Sequence, residues 1–147
     1  GLSGGLSAIA FIAYALISFS VGFQDIGLFS LILVGGLFGF LVFNTYPAKI
    51  FMGDTGSLAL GAVMGAIAIL THRELTLLVV AGIFVIETLT VIIQTIWVQV
   101  FHRKLFLMTP LHHHFEKLGW IETDIVKLFW VAGLVLAMSG IIFGVWL

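Results

Sequence analysis

Long runs without a formal charge dominate the chain. No charged residue occurs from Gly1 to Gln24, none from Ile26 to Phe43 and none from Leu128 to Leu147, while Leu75 to Phe101 is interrupted only by Glu87. A shorter run, Ser57 to Leu70, is rich in Gly and Ala. Crossing about 30 Å of hydrocarbon takes about 20 apolar residues in a helix, and in lipid only helices and closed barrels satisfy their own backbone. The pattern therefore predicts an all-α, polytopic membrane protein with about five transmembrane helices. The run from Ser57 reaches span length only with Thr55 and Thr71 at its ends, and the run from Leu75 is long enough to tilt or kink. A tight turn is expected around Asp25. Gly35, Gly36 and Gly39, and Gly61 with Gly65, are expected to let helix backbones approach closely.

Composition sharpens this. Of 147 residues, 61% are hydrophobic and 9% charged, with a mean hydropathy of +1.25, whereas a soluble domain is about one-quarter charged. A water-soluble globule is excluded. The formal net charge of -1 offers no basic excess for nucleic acid. With no Cys, disulfides, thiolate metal sites and Cys nucleophiles are excluded. No basic segment precedes the first run and no Met opens it, so we expect an N-terminally truncated chain rather than a signal peptide. No repeat of 20 to 50 residues stands out. The connections Asn44 to Gly56 and His102 to Asp124 carry Lys49, Arg103, Lys104 and Lys117, and those around Asp25 and Thr71 to Glu74 only Arg73. Cytoplasmic loops hold the Lys/Arg excess, which puts the first pair, and the N-terminus, in the cytoplasm and the C-terminus outside.

Polar chemistry gathers in those two cytoplasmic connections. Asp54 stands between Gly53 and Thr55-Gly56 at an expected helix start, where backbone N–H groups and the helix dipole favour anions. Such a carboxylate either shares Mg²⁺ with a substrate phosphate or, with Thr55 or Ser57, simply caps the helix. His112-His113-His114 is followed by Phe115-Glu116. Neighbouring residues on a helix lie about 100° apart, so at most two of the three His converge on one ligand. They read as donors to phosphate oxygens or acid–base groups, with a zinc site including His102 or an interfacial loop as alternatives. Glu87, expensive in the middle of a span, has Thr90, Gln94 and Trp97 on its helical face. That stripe either lines a substrate groove or forms a hydrogen-bonded cluster between helices.

The run Pro47-Ala48-Lys49-Ile50-Phe51-Met52-Gly53-Asp54-Thr55-Gly56-Ser57 resembles the signature of the polyprenyl-phosphate N-acetylhexosamine-1-phosphate transferases, and Pro110-Leu111-His112-His113-His114-Phe115-Glu116 is similar to the motif of one of its branches. The resemblance covers essentially the whole chain. It implies that residues 1–147 are the C-terminal part of a single transmembrane catalytic domain, the last five spans of a ten-span, homodimeric enzyme of the bacterial inner membrane with a cytoplasmic active face. It also implies a reaction: phospho-N-acetylmuramoyl-pentapeptide passes from UDP-N-acetylmuramoyl-pentapeptide to undecaprenyl phosphate, giving lipid I and UMP with Mg²⁺ for peptidoglycan synthesis. By position, Asp54 would be the metal or catalytic carboxylate, Phe51 a stacking surface for uracil and Asn44 a polar contact in the same cleft. His112, His113 and His114 would border the diphosphate. Glu87 and Gln94, from their shared helical face, are expected in the substrate groove.

The family also carries an adjacent Asp pair and an Asn/Asp-rich cytoplasmic motif upstream. Neither is present here, and Gly1-Leu2 resembles the pair that follows the second motif. The 147 residues are therefore expected to be inactive alone. Two rivals remain: a transferase of N-acetylglucosamine-1-phosphate, against which the triple His argues, and a secondary transporter using Glu87 and Asp54, which would place its site at mid-membrane.

Overall fold

The computed structural model describes residues 2–44, 53–103 and 111–146. Within them lie seven helices and no strand: α1 (Leu2–Ser20), α2 (Gln24–Asn44), α3 (Gly53–Leu70), α4 (Glu74–Val80), α5 (Gly82–Phe101), α6 (Leu111–Lys117) and α7 (Glu122–Trp146). Gln24–Phe43, Gly82–Phe101 and Thr123–Val145 are long and apolar enough to cross a membrane; Gly4–Ser20 and Leu58–Leu70 are apolar but shorter. The expected all-α, multi-pass architecture is borne out, with α4 and α5 together forming the fourth span.

Helix α1 is apolar all round, as suits a helix enclosed by others. Phe11, Tyr14 and Ile17 are fully buried on it, and Ala8, Ala10 and Ala13 nearly so. Helix α2 lays Ser30, Val34 and Leu37 against α1, a single stripe at helical spacing. Helix α7 runs parallel to α1: Gly5 abuts Trp130 near one end, Gly133 abuts Leu6, and Gly144 abuts Ile17 near the other.

Those contacts overturn the expected use of glycine. A methyl group built at Gly35, Gly36, Gly39, Gly61 or Gly65 meets nothing within 4 Å. Only one face of α2 packs on α1: Gly27 lies on it, against Phe19, whereas Gly35, Gly36 and Gly39 lie on the other. The close approaches occur instead at Gly5, Gly27, Gly82, Gly133, Gly140 and Gly144, where added methyls would collide with Trp130, Phe19, Leu136, Leu6, Val80 and Ile17.

Two turns at one end share a mechanism. Helix α1 ends with Gly22 at φ +94°, and Phe23 N–H reaches back to the Ser18 carbonyl at 2.8 Å. Helix α3 ends with His72 at φ 57°, and Arg73 N–H reaches the Ala68 carbonyl at 2.9 Å. Both are left-handed caps that satisfy orphan carbonyls. The first turn lies at Val21 to Phe23, so Asp25 falls inside the first turn of α2 rather than in the connection. A carboxylate there gains from the positive end of the helix dipole.

The same end is pinned by Arg73. Its Nε donates to the Gly144 carbonyl at 2.6 Å, and the Tyr14 hydroxyl donates to the Arg73 carbonyl at 3.0 Å. One residue thus joins the α3–α4 turn to α1 and to the end of α7. This accounts for the one basic residue on that side: it serves as a tie between helices.

The fourth span breaks at Ala81, where φ is -97° and ψ 30°. Gly140 of α7 faces the Val80 backbone there, and Gly82 faces Leu136, so the bend sits where α7 packs most closely. Val85 N–H still reaches the Ala81 carbonyl at 3.1 Å, and α5 continues from the kink. Beyond it α5 is largely uncovered, with Ile92, Ile96 and Val100 all exposed.

Candidate functional site

Chain direction puts the end of α2, the start of α3 and the start of α7 at the end of the bundle opposite Arg73, and α6 packs there through Phe115, beside Phe129 and Leu6. The described parts of both motifs, residues 53–57 and 111–116, are therefore at one end, as the sequence predicted. Helix α3 begins at Gly53, so Asp54 lies in its first turn and not ahead of it. A cap needs non-helical geometry, and positions 54, 55 and 57 all follow the start of the helix. The side chains of Asn44, Asp54 and His113 lie outside the described residues, as does Phe51 entirely.

The best-defined feature joins α5 to α6. The Glu87 carboxylate takes two hydrogen bonds from His112: Oε1 accepts the backbone N–H at 3.2 Å, and Oε2 lies 2.6 Å from the ring Nδ1. The Glu87 side chain is 14% exposed and that of His112 25%, so the pair is shielded but reachable. Glu87 faces neighbouring protein and not lipid, as its cost in hydrocarbon requires. Thr90, on the same face, is buried and donates its hydroxyl to the Glu87 carbonyl at 2.7 Å, bonding within its own helix. Gln94 is half-buried, and Trp97 stacks on Phe101 with ring centroids 4.3 Å apart.

The neighbouring histidines have different surroundings. His114 lies edge-on to Phe115 at 5.9 Å. Phe115 also packs against Trp120 at 5.0 Å and Phe129 at 5.9 Å. Phe129 belongs to a second core with Leu6, Ile83 and Ile125, so α6 is anchored to α7 through Phe115 and to α5 through His112. These two residues are three apart and share a helical face. Helix α6 closes with Gly119 at φ +96° and Trp120 N–H on the Phe115 carbonyl at 3.1 Å, the same left-handed cap again.

Among the described residues no three His, Asp or Glu side chains are grouped to hold a metal ion. With Nδ1 against the Glu87 carboxylate, the ring of His112 has a hydrogen-bonding role. The pairing of Glu87 with His112 was missed from sequence. Its signal was nonetheless present, as a lone acid within a span and an imidazole run that needed a partner.

Comparison with known proteins agrees with the motifs. Residues 1–72 match glycosyl transferase family 4. Over all 147 residues the chain is 54% identical to the phospho-N-acetylmuramoyl-pentapeptide-transferase of Shouchella clausii (strain KSM-K16), covering 45% of that protein. It is 52% identical to the proteins of the same name from Geobacillus kaustophilus (strain HTA426) and Bacillus subtilis (strain 168), again covering 45% of each. The chain thus spans a little under half the length of these curated relatives. The resemblance carried by the two motifs is borne out: along its whole length the chain is similar to proteins named phospho-N-acetylmuramoyl-pentapeptide-transferase.

Proposed function

We propose that the chain is the C-terminal part of a transferase that moves phospho-N-acetylmuramoyl-pentapeptide from its UDP carrier to undecaprenyl phosphate, working at the cytoplasmic face of the bacterial inner membrane, as a homodimer. The observation that carries this reading is 54% identity over all 147 residues to a protein named for that activity. The gathering of both motifs at one end of the helices supports it, because a soluble nucleotide donor and a lipid acceptor can meet only where the membrane meets water.

In the proposed reaction an oxygen of undecaprenyl phosphate attacks the β-phosphorus of the UDP donor. The bond from that phosphorus to the bridging oxygen breaks, UMP leaves with the electron pair, and lipid I remains in the bilayer. Such a transfer depends on alignment and charge neutralisation more than on covalent chemistry. Asp54, in a helix first turn, offers the hard oxygen ligand that Mg²⁺ prefers; the bound ion would neutralise charge on the diphosphate. His112, His113 and His114 are assigned to the diphosphate, Asn44 and Phe51 to the nucleotide, and Gln94 and Glu87 to the wall of the same cleft.

Purified full-length protein containing this chain, given undecaprenyl phosphate, should release UMP from UDP-N-acetylmuramoyl-pentapeptide and not from UDP-N-acetylglucosamine. Preference for the second donor would move the chain to the other branch, and turnover of neither would refute the reading.

A further inference from the structure

Glu87 stands apart from the other polar residues of the site because both of its carboxylate oxygens are directed at one residue of another helix. Oε1 accepts the His112 backbone N–H at 3.2 Å, and Oε2 is 2.6 Å from His112 Nδ1. Each bond has a separate consequence. His112 is the second residue of α6, so its N–H is one of the first-turn donors without an intrahelical acceptor. Capturing it fixes where α6 starts. The bond to Nδ1 fixes the rotation of the ring and makes Nδ1 the protonated nitrogen, since a carboxylate can only accept.

We infer that Glu87 is a positioning residue, whose carboxylate holds His112 with hydrogen on Nδ1, so that the bare Nε2 faces the reacting phosphates and takes the proton of the attacking phosphate. This deepens the transferase reading and rests on it. A carboxylate aimed directly at a diphosphate would repel it; one aimed at Nδ1 and the adjacent N–H is neutralised by donors and acts through the ring. The arrangement also gives the mid-span charge its purpose. Helix α5 bends at Ala81 and runs about 21 Å from Glu87 to Phe101, with most of that length uncovered. Glu87 ties the better-packed part of α5 to α6, while Phe115 ties α6 to α7 one turn later. The ring of His112 is thereby referred to two spans at once.

The substitution Glu87→Gln separates this role from substrate contact. Its amide oxygen can still take the backbone N–H, but its NH₂ then faces Nδ1 and demands the opposite tautomer, with hydrogen on Nε2. In full-length enzyme in nanodiscs, kcat should fall by about 10²- to 10⁴-fold, the range for losing a carboxylate that orients a functional histidine, while KM for the UDP donor stays nearly unchanged. Glu87→Asp, which keeps the charge, should recover part of the loss. On a His112→Ala background, Glu87→Gln should add nothing, because a residue that acts through another has no effect once that one is gone.

Nitrogen-15 NMR of ring-labelled histidine, with His112 assigned by substitution, reads the same arrangement without turnover. Wild-type protein should carry hydrogen on Nδ1 of His112, and Glu87→Gln should shift it to Nε2. A wild-type ring with hydrogen on Nε2 alone, a rise in KM with kcat unchanged, or a full further loss on the His112→Ala background would each overturn the inference. If the wild-type protein releases no UMP from its expected donor, the transferase reading fails instead, and the NMR result still decides whether Glu87 holds His112.

Discussion

Substituting Gly140 by Ala tests the packing that sets the bend of the fourth span. A methyl group there would overlap Val80 Cγ2 and lie 3.2 Å from the Val80 backbone nitrogen. Val80 is β-branched and stiff at χ1, and a backbone cannot step aside as a side-chain tip can, so α7 and α4 must separate. Overpacking of this kind costs about 1–3 kcal/mol. Ala is favoured over Gly in a helix interior by about 1 kcal/mol, which leaves a net loss of up to about 2 kcal/mol. Gly36→Ala is the matched control: nothing lies within 4 Å of its added methyl, so only the propensity gain of up to about 1 kcal/mol remains. The two variants share the propensity change, and their difference isolates the clash. Thermal unfolding in detergent micelles, followed by tryptophan fluorescence, should rank Gly36→Ala at or above wild type and Gly140→Ala below it. Equal stabilities, or the reverse order, would refute the claim that α7 meets α4 through Gly140 while Gly36 faces away from the bundle.

Asp54→Asn in the full-length enzyme should lose several orders of magnitude in UMP release while melting normally; near-normal turnover would leave Asp54 only a favourable first-turn charge. His72→Gly should stabilise the protein by about 1 kcal/mol, because a non-glycine residue pays that much for a left-handed cap, and a lower melting temperature would show that the contact of His72 with Phe23 outweighs its backbone strain. Tyr14→Phe should cost about 1 kcal/mol by removing the hydroxyl bond to the Arg73 carbonyl, read as a lower melting temperature, and an unchanged one would discount the tie. Single Ala substitutions at His112, His113 and His114 should lower turnover unequally, since His112 is paired to Glu87 and His114 rests on Phe115; three equal small losses would argue for an interfacial loop.

Spans were legible in the sequence because lipid imposes a length and an absence of charge on each helix, and the break in the fourth was foreshadowed by its excess length. The choice of glycines was not legible. Gly35-Gly36-Gly39 has the spacing of a packing motif, yet which face of α2 meets α1 is decided by Ser30, Val34 and Leu37, and hydropathy is nearly uniform around that helix. The placement of both motifs at one end followed from counting spans. What the count could not supply is depth: α6 folds back onto α5 near Glu87, 14 residues before α5 ends, and no periodicity signals a return of that kind. Arg73 counted against the orientation rule until its role as a tie to α7 was seen.

The central claim is that this chain serves phosphoryl transfer between a UDP donor and a lipid phosphate at one membrane face. It is tested most directly in proteoliposomes of the full-length protein, supplied with undecaprenyl phosphate and UDP-N-acetylmuramoyl-pentapeptide, by counting UMP and the lipid-linked product by mass spectrometry in one sample. The account predicts equal amounts of the two, dependent on the lipid acceptor. UMP formed without a lipid product, or donor transported across the bilayer intact, would contradict it.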